Sequence, residues 1–290
     1  EDKRGDAYER FVDELLASPR LGEHQARYWL DAVRYGDTHG LHLDNKRGIY
    51  PYRDWVVRSF NDNLPLDDFL VWQLAGDLLL EPTLAQRVAT GFVRMNPSTA
   101  EGGAIPAEFQ AKNNFDRVEN LGTSLLGLSL VCARCHTHKY DPVTQTEYYR
   151  LLAFFNSTAE ASMDGNKYEY APNVRAPSDQ TAWKEWEILK SEQSKVLEKL
   201  GDNKSPTPVA DPAKPNAPVN LQARAAELSK QIEEMEKKFT TTLVAKELAK
   251  PRVTKLLERG EYHLPVGEAL QPGVPAVLGA LPKDAPRNRL

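Results

Sequence analysis

Along the first 160 residues, apolar positions recur three and four apart, the period of amphipathic helices. Tyr8, Phe11, Val12, Leu15 and Leu16 share one helical face, and Ser18-Pro19 breaks it. A second helix runs from Leu21 to Tyr35, with Tyr28, Trp29, Leu30 and Val33 on its apolar side. The same pattern predicts helices over 54–60, 66–79 and 82–93, the last opening at Thr83. A long helix follows over 108–130, amphipathic first and apolar towards its end, and an aromatic-rich one over 146–155. Residues 37–52 and 96–103 carry no period. They read as ordered loops, the kind of segment that bears function.

Beyond residue 160 the pattern changes. Trp186, Leu189, Val196 and Leu200 keep a three-four spacing, with Gln193 in the middle place. Leu221, Ala225, Leu228, Ile232 and Met235 keep it without a gap. These are two heptad seams, and they predict an antiparallel coiled-coil hairpin over 161–238. Its tip, about 203–219, carries five prolines between Pro206 and Pro218 and cannot be helical, so a disordered or extended tip is expected. A spacer or partner-docking arm is the expected role. Residues 239–290 turn β-rich, with Thr240-Thr241-Thr242 followed by a stretch broken by Pro and Gly. This segment is expected to pack on something outside the chain. The fold class is therefore mainly α: a helical domain over 1–160, the hairpin, and a short C-terminal β segment.

Composition adds only bounds. The chain has 290 residues, 41% hydrophobic and 27% charged, with net charge −4, values ordinary for a globular protein. No basic patch points to nucleic acid. No apolar run approaches the roughly 20 residues that cross a bilayer. The chain opens at Glu1-Asp2 without a methionine and stops after Arg289-Leu290 without a closing element, so it reads as a piece of a longer protein.

The chemistry concentrates in Cys132-Ala133-Arg134-Cys135-His136-Thr137-His138-Lys139, which holds both cysteines of the chain. A disulfide across so short a loop would stabilise little. Cys-x-x-Cys-His instead suits covalent haem: two thiols add to the vinyl groups, and the next histidine becomes an axial ligand of the iron. Zinc held by Cys132, Cys135, His136 and His138 stands beside this, although structural zinc sites usually draw a second ligand pair from a distant segment. So do a dithiol redox pair, which expects an α/β context, and two incidental cysteines. For the far side of the iron, the loop Asp37-Thr38-His39-Gly40-Leu41-His42-Leu43-Asp44 offers His39 or His42, as ligand or as distal acid-base group. The same loop could hold a second metal through His39, His42 and a carboxylate, or merely pin itself by hydrogen bonds. Glu101, before Gly102-Gly103, is a candidate carboxylate near the site or a plain turn residue. Lys139 and Asp141 could face haem propionates, brace His136, or pair with each other. Met95 reads as core, His24 as surface, and His263 is given no role.

These pieces appear in an order that resembles the planctomycete cytochrome family with the domain DUF1549, or PSCyt2. The matching motifs run from Leu15-Leu16-Ala17-Ser18-Pro19-Arg20 and Trp29-Leu30-Asp31 through Asp37–Asn45 and Pro51-Tyr52-Arg53-Asp54-Trp55-Val56. They continue with Gln73-Leu74-Ala75-Gly76-Asp77-Leu78, Glu101-Gly102-Gly103, Asp116-Arg117-Val118 and Cys132 to Pro142. Where relatives often carry aspartate, this chain has Thr137. The tail from Arg259-Gly260 onward resembles the junction to a downstream DUF1553 domain. The resemblance implies an exported haem c protein, periplasmic or at the cell surface, with an upstream cytochrome c domain or another redox protein as partner. Electron transfer through one haem on Cys132, Cys135 and His136 is the leading expectation. A haem oxidoreductase acting on carbohydrate or peroxide, with His39, His42 and Glu101 as acid-base groups, is the alternative. A zinc-stabilised interaction module is the third.

Overall fold

A computed structural model describes residues 4–41, 44–99, 101–163, 171–202, 209–211 and 214–290. The chain is mainly α, and it divides into two compact units, 1–174 with 242–290 and 175–241.

In the first unit, α1 (Ala7–Leu16) has no buried residue, and its apolar face is open: Tyr8, Phe11, Leu15 and Leu16 are each more than half exposed. Helices α2 (Arg20–Ala32) and α3 (Tyr50–Asn61) pack closely at Gly22, where a Cβ would lie 2.4 Å from the Val57 carbonyl. α3 begins four residues before the sequence pattern indicates, because Pro51 presets the helical φ in its first turn. α4 (Leu66–Ala75) and α5 (Leu84–Ala89) each run into a tighter 3₁₀ turn, at 76–78 and 90–94. Thr83 and Gln86 form the reciprocal cap that starts α5. α6 (Pro106–Leu121) stops short of the expected residue 130. A wide turn over 122–126 ends at Gly127, whose φ of 63° favours glycine, and the chain doubles back. Gly122 lets Leu130 return against it, since a Cβ there would sit 2.6 Å from Leu130 Cγ. α7 (Gln145–Phe155) starts from a second reciprocal cap, Thr144 with Glu147.

The apolar centre of this unit gathers Tyr52, Trp55 and Phe69, the last two stacked 5.3 Å apart. Gln73 keeps the buried polar tips satisfied: its Oε1 accepts from Tyr52 Oη at 2.6 Å and from Trp29 Nε1 at 2.9 Å.

The chain leaves the first unit through β1 (Asn173–Ala176) and enters α8 (Gln180–Asp202). At the far end β2 (Val209–Asp211) pairs antiparallel with β3 (Lys214–Val219), so the proline-rich tip is extended where it is described. α9 (Leu221–Glu236) runs back along α8. Trp183, Val196, Leu228 and Ile232 are buried in the seam. Gln193, the polar residue in the heptad pattern, donates to Ser229 Oγ at 3.0 Å, a contact that fixes register. Arg224 reaches across to Glu192 at 2.6 Å.

The chain returns through β4 (Thr240–Leu243), which pairs with β1. Then β5 (Thr254–Leu257) and β6 (Pro265–Leu270) form a second antiparallel pair. The segment expected to meet an outside partner packs on this chain's own first half. Ala245 N–H donates to Thr90 Oγ1 at 2.8 Å, and Arg252 donates to the Asn156 and Thr158 carbonyls. Arg289, its side chain 1% exposed, pairs with Asp77 at 2.7 Å and Glu247 at 2.8 Å. No described helix is long and apolar enough to cross a membrane.

Candidate functional site

The doubling back after α6 is what builds the cysteine turn. Leu130 and Ala133, both buried, anchor a short 3₁₀ stretch over 130–134. Their spacing turns Cys132, Cys135 and His136 outward, and all three are exposed. The cysteines are free thiols. Both the Cys135 and His136 amides return to the Cys132 carbonyl at 3.3 Å, closing the turn tightly.

The two histidines of the motif differ in what they can still bind. His136 Nδ1 lies 2.8 Å from the Thr137 carbonyl. A carbonyl only accepts, so Nδ1 carries the proton and Nε2 keeps its lone pair for a metal or an acid. His138 is spent on structure: its Nδ1 accepts the Tyr140 and Asp141 amides at 3.2 and 2.7 Å. Its Nε2 faces Asp141 Oδ2 at 3.6 Å. Lys139 is exposed, with its ammonium 5.3 Å from the Tyr140 ring centroid. Asp141 is committed to the turn, accepting from Ser129 N–H at 3.3 Å as well as facing His138.

Behind the turn, Arg134 rides over Phe115 at 4.9 Å and pairs loosely with Glu119 at 3.7 Å. Burial raises the Glu119 carboxyl above its usual range, against the pull of Arg134 and the Tyr148 hydroxyl. A cleft of about 230 Å³ lined by Arg34, Glu119, Thr123, Ser129, Leu130 and Val131 opens just before Cys132. On the other flank, Tyr149 Oη donates to the Arg134 carbonyl at 3.0 Å, and Gln145 Nε2 bridges the Arg134 and Leu257 carbonyls. Burial, with Cys135 beside it, pushes the Tyr149 phenol well above its usual value.

A contact the sequence did not foretell completes this flank. Cys135 Sγ donates to the Arg259 carbonyl at 3.2 Å. Arg259 holds a positive φ of 53°, costing about 1 kcal/mol for a side chain of its kind. Gly260 follows at φ 75°, and a Cβ there would lie 3.0 Å from Arg134 Cγ and 3.2 Å from Cys135 Sγ. Only glycine fits that approach without displacing the motif.

The structure joins the two irregular loops. Thr38 bridges Lys46, and Gly40 bridges Ser98, whose amide donates to the His39 carbonyl at 2.8 Å. His39 is 1% exposed. Its Nε2 accepts the Asn45 amide at 3.0 Å, and its Nδ1 has no hydrogen-bond partner among the described residues. His42 lies outside the described residues. Asp44 accepts the Gly40 amide at 2.9 Å, and bonds from Thr38 and Gly40 hold its carboxyl below the usual range. Glu101 stands exposed on its turn, with its amide donating to Thr99 Oγ1 at 3.2 Å. Met95 is core, and His24 is a surface residue against Arg27.

Among the described residues no three His, Cys, Asp or Glu side chains gather as for a metal ion. Cys132, Cys135, His136 and His138 are all described, and they do not converge. Two free thiols and one imidazole with an open Nε2 fit a haem c attachment, which asks for no fourth donor.

Residues 1–160 match the family model PSCyt2, described as Protein of unknown function (DUF1549). The chain belongs to this family. No curated protein and no solved structure matches it. The PSCyt2 region thus contains the cysteine turn and both irregular loops, while Arg259 and Gly260, which touch the turn, lie beyond it.

Beneath the loops runs a buried polar network that the sequence pattern passed over. Arg47 donates to the Asn96 carbonyl at 2.5 Å, and Asn96 Oδ1 accepts from Arg117 at 3.0 Å. Arg117 also binds Thr158 Oγ1 and the Val93 carbonyl, each at 2.9 Å, and pairs with Glu160. Arg94 donates to the Pro172 and Val244 carbonyls. The available signal was Arg117 itself, placed on the apolar side of α6 between Asn113, Asn114, Val118 and Leu121, all buried.

Proposed function

We propose that the chain is an exported c-type haem protein that transfers electrons. Cys132 and Cys135 would hold one haem through thioethers, His136 would ligate its iron, and the bound haem would supply one-electron redox chemistry. The observation that carries this reading is the state of the motif: both thiols free and exposed, beside an imidazole whose proton is fixed on Nδ1. The Thr137 carbonyl does the fixing, an outer-sphere hold that raises the basicity of Nε2. Leu130 and Ala133 keep the turn rigid from below, and Lys139 leaves a cation free to meet an acidic group at the rim. Electron transfer is favoured over substrate chemistry by His39, whose Nε2 is already engaged by the Asn45 amide in a closed loop. A redox protein or a cytochrome c domain is the partner that such a module needs.

The test is the intact mass and the reduced absorption spectrum of protein made in a host that matures c-type cytochromes. A mass gain of one haem that survives denaturation, lost in Cys132→Ala/Cys135→Ala, is the expected result. A bare mass without visible absorption refutes the reading.

A further inference from the structure

We infer that His263 is the second axial ligand of the haem iron, delivered by the loop between β5 and β6; this rests on the haem reading above. The loop is small and closed. Glu258 N–H donates to the Leu264 carbonyl at 2.9 Å, Leu264 N–H to the Glu261 carbonyl at 3.0 Å, and Glu261 N–H to the Glu258 carbonyl at 3.0 Å. Its near end is pressed on the cysteine turn, with the Arg259 carbonyl 3.2 Å from Cys135 Sγ and a Cβ at Gly260 only 3.0 Å from Arg134 Cγ. Gln145 ties the Leu257 carbonyl, where β5 ends, to the Arg134 carbonyl. A group attached at Cys135 therefore lies alongside this loop. His263 lies four chain steps past Arg259, so at about 3.5 Å per step their Cα atoms are at most about 14 Å apart even before closure.

The histidine is poised as a ligand should be. Its side chain is 56% exposed, its ring packs edge-on against Tyr262 at 5.2 Å, and its Nδ1 faces the Glu261 carboxylate at 4.0 Å. At that distance the carboxylate is near the ring without a hydrogen bond to it, and neither ring nitrogen of His263 is hydrogen-bonded among the described residues. The other described histidines are committed elsewhere. His39 is buried with Nε2 engaged, His138 spends Nδ1 on two amides, and His24 holds Arg27 on α2. His136 and His263 are thus the two imidazoles with a free Nε2 on segments that meet at Cys135.

The experiment uses the haem-matured full chain, its His263→Ala variant, and His42→Ala and His39→Ala as comparisons. Intact mass reports haem attachment, ferric electron paramagnetic resonance reports spin state, and the ferrous form is exposed to carbon monoxide. Circular dichroism melts confirm that each variant folds. Expected is a low-spin wild type that binds carbon monoxide poorly. His263→Ala should retain the haem mass, turn high-spin and bind carbon monoxide readily, with added imidazole restoring the low-spin signal. A high-spin wild type, a low-spin His263→Ala, or the switch appearing in His42→Ala or His39→Ala overturns the assignment while leaving covalent haem intact. A wild type without haem mass overturns the haem reading and this assignment together.

Discussion

Glu160 provides the sharpest test of how the first unit is held together. It sits 4% exposed at the heart of the polar network, paired with Arg117 and accepting from Thr158 Oγ1 at 2.7 Å. Burial alone would raise its carboxyl; Arg117 and Arg94, with the Thr158 hydroxyl, outweigh this and bring it down to about 2 from 4.5. At about 1.4 kcal/mol for each tenfold change in acidity, that difference is worth about 3 kcal/mol of folding stability. The sign follows from the depressed value. The contribution is complete above the unfolded carboxyl's range, near pH 5, and drains away as pH falls towards 2. Arg117→Met removes the principal counter-charge and strands Glu160 with Arg94 alone, at a cost of about 3–5 kcal/mol. Glu160→Gln added to Arg117→Met should recover part of that loss, because the stranded charge is gone. Urea unfolding of the four chains at pH 7, repeated between pH 5 and 3, measures both effects. The reasoning fails if Arg117→Met costs under about 1 kcal/mol. It fails equally if Glu160→Gln loses stability with acid as steeply as the wild type.

Two further outcomes are expected. In the haem-free chain, iodoacetamide should alkylate Cys132 several-fold faster than Cys135, because the Cys135 thiol is donated to the Arg259 carbonyl and crowded by Gly260; peptide mass mapping over time reads the order, and equal rates would show that the turn does not guard Cys135. Arg289→Met should lower stability by about 3 kcal/mol or more, since it abandons Asp77 and Glu247 in a half-buried setting; a melting temperature within a degree or two of wild type would mean the tail is not an anchor.

Much of the architecture was readable from periodicity, and the exceptions have local causes. The helix expected to open at Thr83 does so through a reciprocal cap, and the one expected from residue 146 begins a residue earlier, behind a cap at Thr144 that the pattern did not flag. The expected helix over 108–130 fails because Gly122 and Gly127 allow a reversal that a hydrophobicity pattern cannot register. The cysteine turn was visible because its donors are neighbours in sequence. Its contact with Arg259 was not, being 124 residues away. The same holds for Arg94 with Val244, 150 residues apart. A buried arginine looks, one residue at a time, like any surface cation. The open apolar face of α1 is the reverse case, a stripe with the pattern of a core helix and no buried residue.

The return of residues 242–290 into the first unit has a consequence for how the protein is made. The family match ends at residue 160, yet the structural unit that contains it is not finished there. During synthesis the Arg94 guanidinium must wait for Val244, the Cys135 thiol for Arg259, and the Asp77 carboxylate for Arg289. The hairpin unit, made of local contacts, can fold in the interval, whereas the first unit closes only once residues 242–290 have emerged. Until then the Cys135 thiol remains uncovered by the loop that later flanks it. The chain therefore presents its cysteine turn most openly before it has completed its own fold.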